Sequence, residues 1–436
     1  MHDDVIEASV DTLLTQRHHG RTAPSSTPVH TPADGVVPKL VDVLLRNRDE
    51  LLTVLTEIAT AQAAGDELLR SVRALAGAPW ELLRNSPRRL DRLATFLPSN
   101  NLLYSYVLFG VVPSLYTDEV RLRPSARVAR AALAVHEILG PPLRRLGAGR
   151  VVMTPCTQQE FLADCARSDA VVFTGRPENG AAVAARLPAG TLLLSFGSGP
   201  NPVVVGPDAD PDTACRAVLD ARLYNSGQDC LCTDLVLVHR SRVRALVPRL
   251  ADALAGIRVG DRRDPATRVA PLVYPDAVQD AAAFLATHRE FTVRGGRTDL
   301  ARHTVEPTLL HLPWQENFHP PELFSPVVLT MAYDTPAQVA RWLRSAEETA
   351  RGMYVSVFGE PALAGRSRIA TSVVCEERVT FDVEDGNRPF GGYGPLAGNV
   401  RRHGIVTGRP LLLSAEAGPP AAGPGAGPRP RHRTGP

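Results

Sequence analysis

Two cysteines one residue apart, Cys230 and Cys232 in "LYNSGQDCLC", stand behind a Gly-Gln in a chain that has six cysteines in all. A C-x-C pair can supply two ligands of a zinc site, but a structural zinc needs four, and the other cysteines lie far off with no histidine at the usual spacing. No metal site is expected. A redox pair is more often C-x-x-C, and a small buried hydrophobe suits any single cysteine. The remaining use is a nucleophile, because a thiolate adds readily to a carbonyl and gives a thiohemiacetal from an aldehyde or a thioester from an activated acyl group. Residue types alone leave these uses open, and the surrounding segments have to decide.

A nucleophile needs rigid elements behind it. From about residue 96, short apolar β-branched runs ("VVMTP", "AVVFTG", "TLLLSFG", "PVVVG", "DLVLVH") alternate with Ala/Arg/Leu-rich segments such as "ARVARAALAVHEIL" and "GAAVAARL". This alternation predicts βαβ units, an α/β fold with a parallel sheet covered by helices on both faces. The near-continuous apolar runs suit strands buried on two sides. Ahead of them, "KLVDVLLRNRDELLTVLTEIATAQAAG" spaces its apolar residues for one or two amphipathic helices. Residues 1–38, with "RTAPSSTPVHTPADG", and the Pro/Gly-rich stretch from 417 to 436 are expected to be flexible.

At 436 residues and 44% hydrophobic, the chain can bury a core of two ordinary domains or one elaborate one. The formal charge of +2 is spread along the chain and offers no broad field for nucleic acid or an anionic membrane surface. Lys39 is the single lysine, so arginine here reflects composition as much as function. With no signal-peptide pattern and no apolar run long enough to span a bilayer, the expectation is a cytoplasmic protein with free thiols.

The order and separation of "FTG" at 173–175, "GPNPVVVGPDAD" at 199–210, "YNSGQDC" at 224–230, "ELFSPV" at 322–327 and "RPFGGYG" at 388–394 resemble the aldehyde dehydrogenase superfamily, as do "FLPSNN" at 96–101 and "VRLRPSA" at 120–126. The resemblance covers about residues 40–410. It implies a Rossmann-type nicotinamide-binding domain over 39–199, a catalytic α/β domain over 200–405, and a C-terminal strand, read in "RPLLLSAE", within 406–436. Carried over by residue, Cys230 becomes a low-pKa nucleophile and Asn100 the oxyanion-hole amide, although Asn101 beside it leaves the register open by one. Arg123, Ser125, Gly175, Arg176, Gly180, Glu322 and Phe324 fall on cofactor-binding positions, and Pro389 and Phe390 on the closing run. Gly227 would allow the tight approach of the nucleophile loop, and a homo-oligomer is the default.

The departures from the pattern carry more information. Hydrolytic members have a glutamate general base where "LLSFGSG" has Ser195, and a neutral hydroxyl is no base near pH 7 without a partner. That points to reduction of an acyl thioester, on coenzyme A or an acyl-carrier protein, to an aldehyde, or to the reverse. Oxidation of an aldehyde to an acid, with Glu160 or Glu178 moved in as base, and a non-catalytic paralogue are the alternatives. Arg123 replaces a lysine and Ala126 stands where NAD-preferring members often carry a glutamate. Loss of that carboxylate removes its repulsion of a 2′-phosphate, so NADP(H) is favoured over NAD(H). Trp314, His319 and Asp385 read as structural or surface residues.

Overall fold

In the computed structural model, residues 33–197 and 199–418 are described. The chain enters through three helices, Ala33–Arg46, Arg48–Leu55 and Ala61–Asn85, one more than the periodicity suggested. The first begins at Ala33, inside the segment expected to be flexible; the rest of that segment, and residues 419–436, lie outside the described residues.

The apolar runs become β1 Leu90–Phe96, β2 Thr117–Arg123, β3 Arg150–Met153, β4 Ala170–Thr174 and β5 Leu192–Phe196, parallel and in the spatial order β5-β4-β1-β2-β3. All five residues of β5 are buried, as a strand covered on both faces requires. Helices Ala129–Arg145, Gln158–Cys165 and Pro177–Ala184 make the crossovers. Strands Gly398–Arg402 and Ile405–Gly408 return to this sheet, the former antiparallel to β5. The strand read in 409–416 is therefore displaced: Leu413–Glu416 is a helical turn. Pro410 cannot donate to a ladder, and the apolar run buries Leu411 and Leu413 against the first sheet's core instead.

A second, eight-stranded sheet has six inner parallel strands, in the order Ser372–Glu376, Tyr354–Phe358, Val203–Val205, Val236–His239, Val327–Tyr333 and Thr308–Leu312. In an open parallel sheet, ligands bind in the crevice beyond the carboxyl ends of the strands. The carboxyl ends of β1, β2, β4 and β5 lead directly into Leu97–Asn101, Ser125, Gly175 and Gly197, which places the expected site residues along one rim.

Candidate active site

The loop after β1 carries two adjacent asparagines. Asn101 has positive φ (50°) and starts the helix Leu102–Tyr106. The first amides of that helix lack intrahelical partners. Buried Glu67, from the long helix Ala61–Asn85, accepts from Leu103 N–H at 2.5 Å and Tyr104 N–H at 3.1 Å. Burial raises the Glu67 carboxyl to about 7 against the lowering by those two amides.

The nucleophile loop follows the helix Pro211–Leu223. Asn225, Ser226 and Gly227 all take positive φ, a sharp reversal that ends at Cys230. At Gly227, with φ 83°, an added Cβ would lie 2.3 Å from the carbonyl oxygen of Ser325, so glycine lets this loop touch the segment carrying Glu322 and Phe324. Fully buried Arg222 binds both loops. Its Nε donates to Ser325 O at 2.8 Å, and Nη1 donates to Thr233 O at 2.9 Å and to Asp234 Oδ1 at 2.6 Å. Nothing in the sequence singled out Arg222, one arginine among many.

Cys230 opens onto a cavity of about 1150 Å³ that is also lined by Asn100, Arg123, Ser125, Gly175, Arg176, Glu322, Phe324 and Phe390. Most of the expected residues converge; Gly180 and Pro389 are not among those that line the cavity. Gly180 lies behind the wall in the first turns of Pro177–Ala184, where an added Cβ would approach Phe173 at 3.2 Å and Ser195 Oγ at 3.6 Å. Ser195 itself is buried in β5 and does not line the cavity. Glu160 closes a capping box with Thr157 on an exposed helix start, away from the cavity, whereas Glu178 lines the wall near Gly175. Among the described residues no group of three or more His, Cys, Asp or Glu is placed to hold a metal ion.

The thiol is not poised as expected. Burial pushes Cys230 well above the ordinary cysteine range, and the negative charges of Asp229 and Glu322 push it further. The motif suggested a low-pKa thiolate because it does not reveal the burial of the sulfur or the negative charges of Asp229 and Glu322 that add to it. Asp229 Oδ2 accepts from Asn101 Nδ2 at 2.5 Å and Oδ1 accepts from Leu231 N–H at 2.8 Å, while burial raises its carboxyl. Cys232 is buried with Sγ 3.7 Å from the Tyr224 carbonyl oxygen. A thiol titrating above neutrality gains thiolate about tenfold per pH unit. Alkylation of Cys230 by iodoacetamide, followed by peptide mass mapping, is therefore expected to keep accelerating past pH 9. A plateau below pH 8 would contradict this environment.

At the cofactor end, Arg123 Nε donates to Cys156 O at 3.1 Å with its guanidinium over Phe96. Arg176 is exposed and pairs with Asp276 at 3.5 Å and Asp280 at 3.7 Å, so its free charge is shared with acids across the cleft. Gly175, with φ 146°, and the amino end of Pro177–Ala184 border the cavity. Unpaired N–H groups at a helix start suit a phosphate, and the volume exceeds the roughly 300–1,000 Å³ of ordinary small-molecule pockets. These residues fit a dinucleotide beside an acyl group. At the other end stand Arg70, Tyr104, Glu384 and Asp385. Arg70 pairs with Asp66 at 2.7 Å and Glu384 at 3.6 Å, and the Tyr104 hydroxyl donates to Glu384. Asp385 is exposed, as expected of a surface residue, and pairs with Arg388 at 3.2 Å, but it also borders the cavity. His319 instead binds Glu348 at 2.7 Å and stacks on Trp342, and Trp314 packs beside the second core.

Residues 118–403 match the family described as "Aldehyde dehydrogenase family". The chain belongs to this family. A non-phosphorylating aspartate-semialdehyde dehydrogenase from Halomonas elongata is 29% identical over 251 residues, 55% of this chain and 49% of that protein. Over this match and a 30% identical one to a succinate-semialdehyde dehydrogenase [NADP(+)] from Mycolicibacterium paratuberculosis, which covers 49% of this chain and 46% of that protein, the chain spans about half the length of the curated relatives. A putative succinate-semialdehyde dehydrogenase [NADP(+)] 2 from Mycobacterium tuberculosis is 26% identical over 441 residues, covering 91% of this chain and 82% of that one. Succinic semialdehyde dehydrogenase from Streptococcus pyogenes, solved with NADP+, has the same fold, with a TM-score of 0.75 at 18% identity over 95% of this chain and 92% of that one. The aldehyde dehydrogenase fold accounts for both parallel sheets and for the crevice between their strand ends. Among the described residues no helix is long and apolar enough to cross a membrane.

Proposed function

We propose that this family member is a nicotinamide-dependent oxidoreductase that forms a covalent acyl intermediate on Cys230 and reduces acyl thioesters to aldehydes, or runs that reaction in reverse. The observation that carries the reductive reading is Ser195: a neutral side chain, buried in β5, where a hydrolytic member needs a carboxylate facing the thioester. Water is then poorly activated, and a thiol acceptor, which needs less help, is favoured.

In this mechanism Cys230 Sγ attacks the carbonyl carbon of a coenzyme A or carrier-bound thioester, and the acceptor thiol leaves with the proton. The Asn100 amide and the Cys230 N–H hold the oxyanion. Arg123, Ser125, Gly175, Arg176, Glu322 and Phe324 would hold a nicotinamide, with Gly180 behind them in the wall, and its chemistry when bound would be hydride transfer. The thiohemiacetal oxyanion on Cys230 then collapses, the C–S bond breaks, the aldehyde leaves and the Cys230 thiolate takes up one proton from solvent. Arg123 with Ala126 favours NADP(H), and the relatives named for NADP(+) support a nicotinamide cofactor. The far end of the cavity presents Arg70, Tyr104 and Glu384, and an alkyl tail would displace water from these charged and polar groups with no hydrogen bond in return. Short substrates with polar tails are therefore preferred.

A second reading has its own support. Asp229 lines the cavity directly before Cys230, and its raised carboxyl is a base that takes a proton from water, giving aldehyde oxidation to an acid; the relatives are named as semialdehyde dehydrogenases. Stopped-flow absorbance with NADPH and a panel of acyl thioesters separates the two. Consumption of NADPH with release of one aldehyde and one free thiol is the expected result; acid formed from aldehyde and NADP+, with no thioester reduction, would replace the reductive reading with the second.

A further inference from the structure

We infer that Tyr274 is a positioning residue that aims the Asn100 amide, an inference resting on Asn100 being the oxyanion donor. The Tyr274 hydroxyl donates to Asn100 Oδ1 at 3.3 Å. With its carbonyl oxygen engaged, the amide presents its N–H₂ half, the only half that can donate to an oxyanion. Asn101 is committed elsewhere, its Nδ2 donating to Asp229.

Tyr274 is tied to the nucleophile loop as well. Gln228 Oε1, two residues before Cys230, accepts from Val273 N–H at 2.7 Å, and Ser226 Oγ accepts from Ala270 N–H at 2.9 Å. The segment 270–274 hangs from the loop that carries the sulfur and reaches across to the loop that carries the amide. It therefore fixes the separation of attacking atom and oxyanion donor, which come from segments 130 residues apart in the chain. The ring is held independently, edge to face with Phe324 at 5.6 Å and under the Arg127 guanidinium at 5.3 Å. Burial raises the phenol above its ordinary value, so it stays a donor across the working range.

Tyr274→Phe removes the oxygen and keeps both ring contacts. The expected result is a fall in kcat of about tenfold, the scale of one lost hydrogen bond, with the KM for the nicotinamide within about twofold. In an Asn100→Ala background the same substitution should change nothing further. An unchanged kcat, or an equal loss in both backgrounds, would overturn the inference. A measurement independent of turnover is the side-chain N–H₂ pair of Asn100 in protein labelled with ¹⁵N-asparagine, assigned by its absence in Asn100→Ala. Tyr274→Phe should move that pair, and an unmoved pair sinks the positioning role whatever the kinetics. A moved pair in a protein that turns over no aldehyde or thioester would instead support the positioning while the proposed function fails.

Discussion

Replacing Cys230 with alanine is expected to lower turnover by roughly 10⁴-fold or more, the scale on which loss of a covalent nucleophile is felt, while the protein stays folded and binds nicotinamide. Cys230 sits partly exposed at the cavity, packed beside a small cluster that includes Leu231 and Met353. Losing one sulfur at this edge leaves no unpaired polar group. Cys232→Ala is the matched control, because its thiol is buried against the Tyr224 carbonyl and away from the cavity. It should keep its rate and lose about 1 kcal/mol or so of stability, as a small core truncation does. Steady-state rates and cofactor titrations on both variants check this. Equal losses at the two positions would mean that the pair acts together and would remove the nucleophile reading.

Arg222→Ala should destabilise the fold by about 3–5 kcal/mol, measured by denaturant unfolding, because it leaves the buried Asp234 charge without its partner. The guanidinium also holds the Ser325 and Thr233 carbonyls, so the segment bearing Glu322 and Phe324 should loosen from the nucleophile loop. Asp234→Asn combined with Arg222→Met, which removes the charge along with its partner, should recover much of the loss. A cost below about 1 kcal/mol for Arg222→Ala would show that the pair contributes little to holding the two loops.

The fold was legible because its signals are local. Runs such as "AVVFT" and "LLLSF", apolar but for one hydroxyl residue each, read as strands covered on both faces, and the glycines of "SGQDC" and "FTG" mark turns whose positive φ a side chain would strain. The sequence also pointed to the cavity residues, since most come from strand ends or the loops beside them. It missed what depends on residues remote in the chain. Glu67 reaches the helix after Asn101, Arg222 reaches Ser325 across 103 positions, and Tyr274 reaches Asn100 across 174. Each is an ordinary residue until the fold brings its partner. The thiol's environment was misjudged for the same reason, since the acids that raise it include Glu322, far along the chain. The strand expected at 409–416 failed on local grounds that were visible, Pro410 beside three leucines that a core could take as well as a ladder.

The central claim is that Cys230 carries the acyl group. Intact-protein mass spectrometry after mixing with an acyl thioester, in the absence of reduced nicotinamide, tests it most directly. The expected result is a mass increase of one acyl group, mapped by peptide digestion to Cys230, that disappears when NADPH is added. An unmodified protein that still consumes NADPH, or an adduct on another cysteine, would contradict the account.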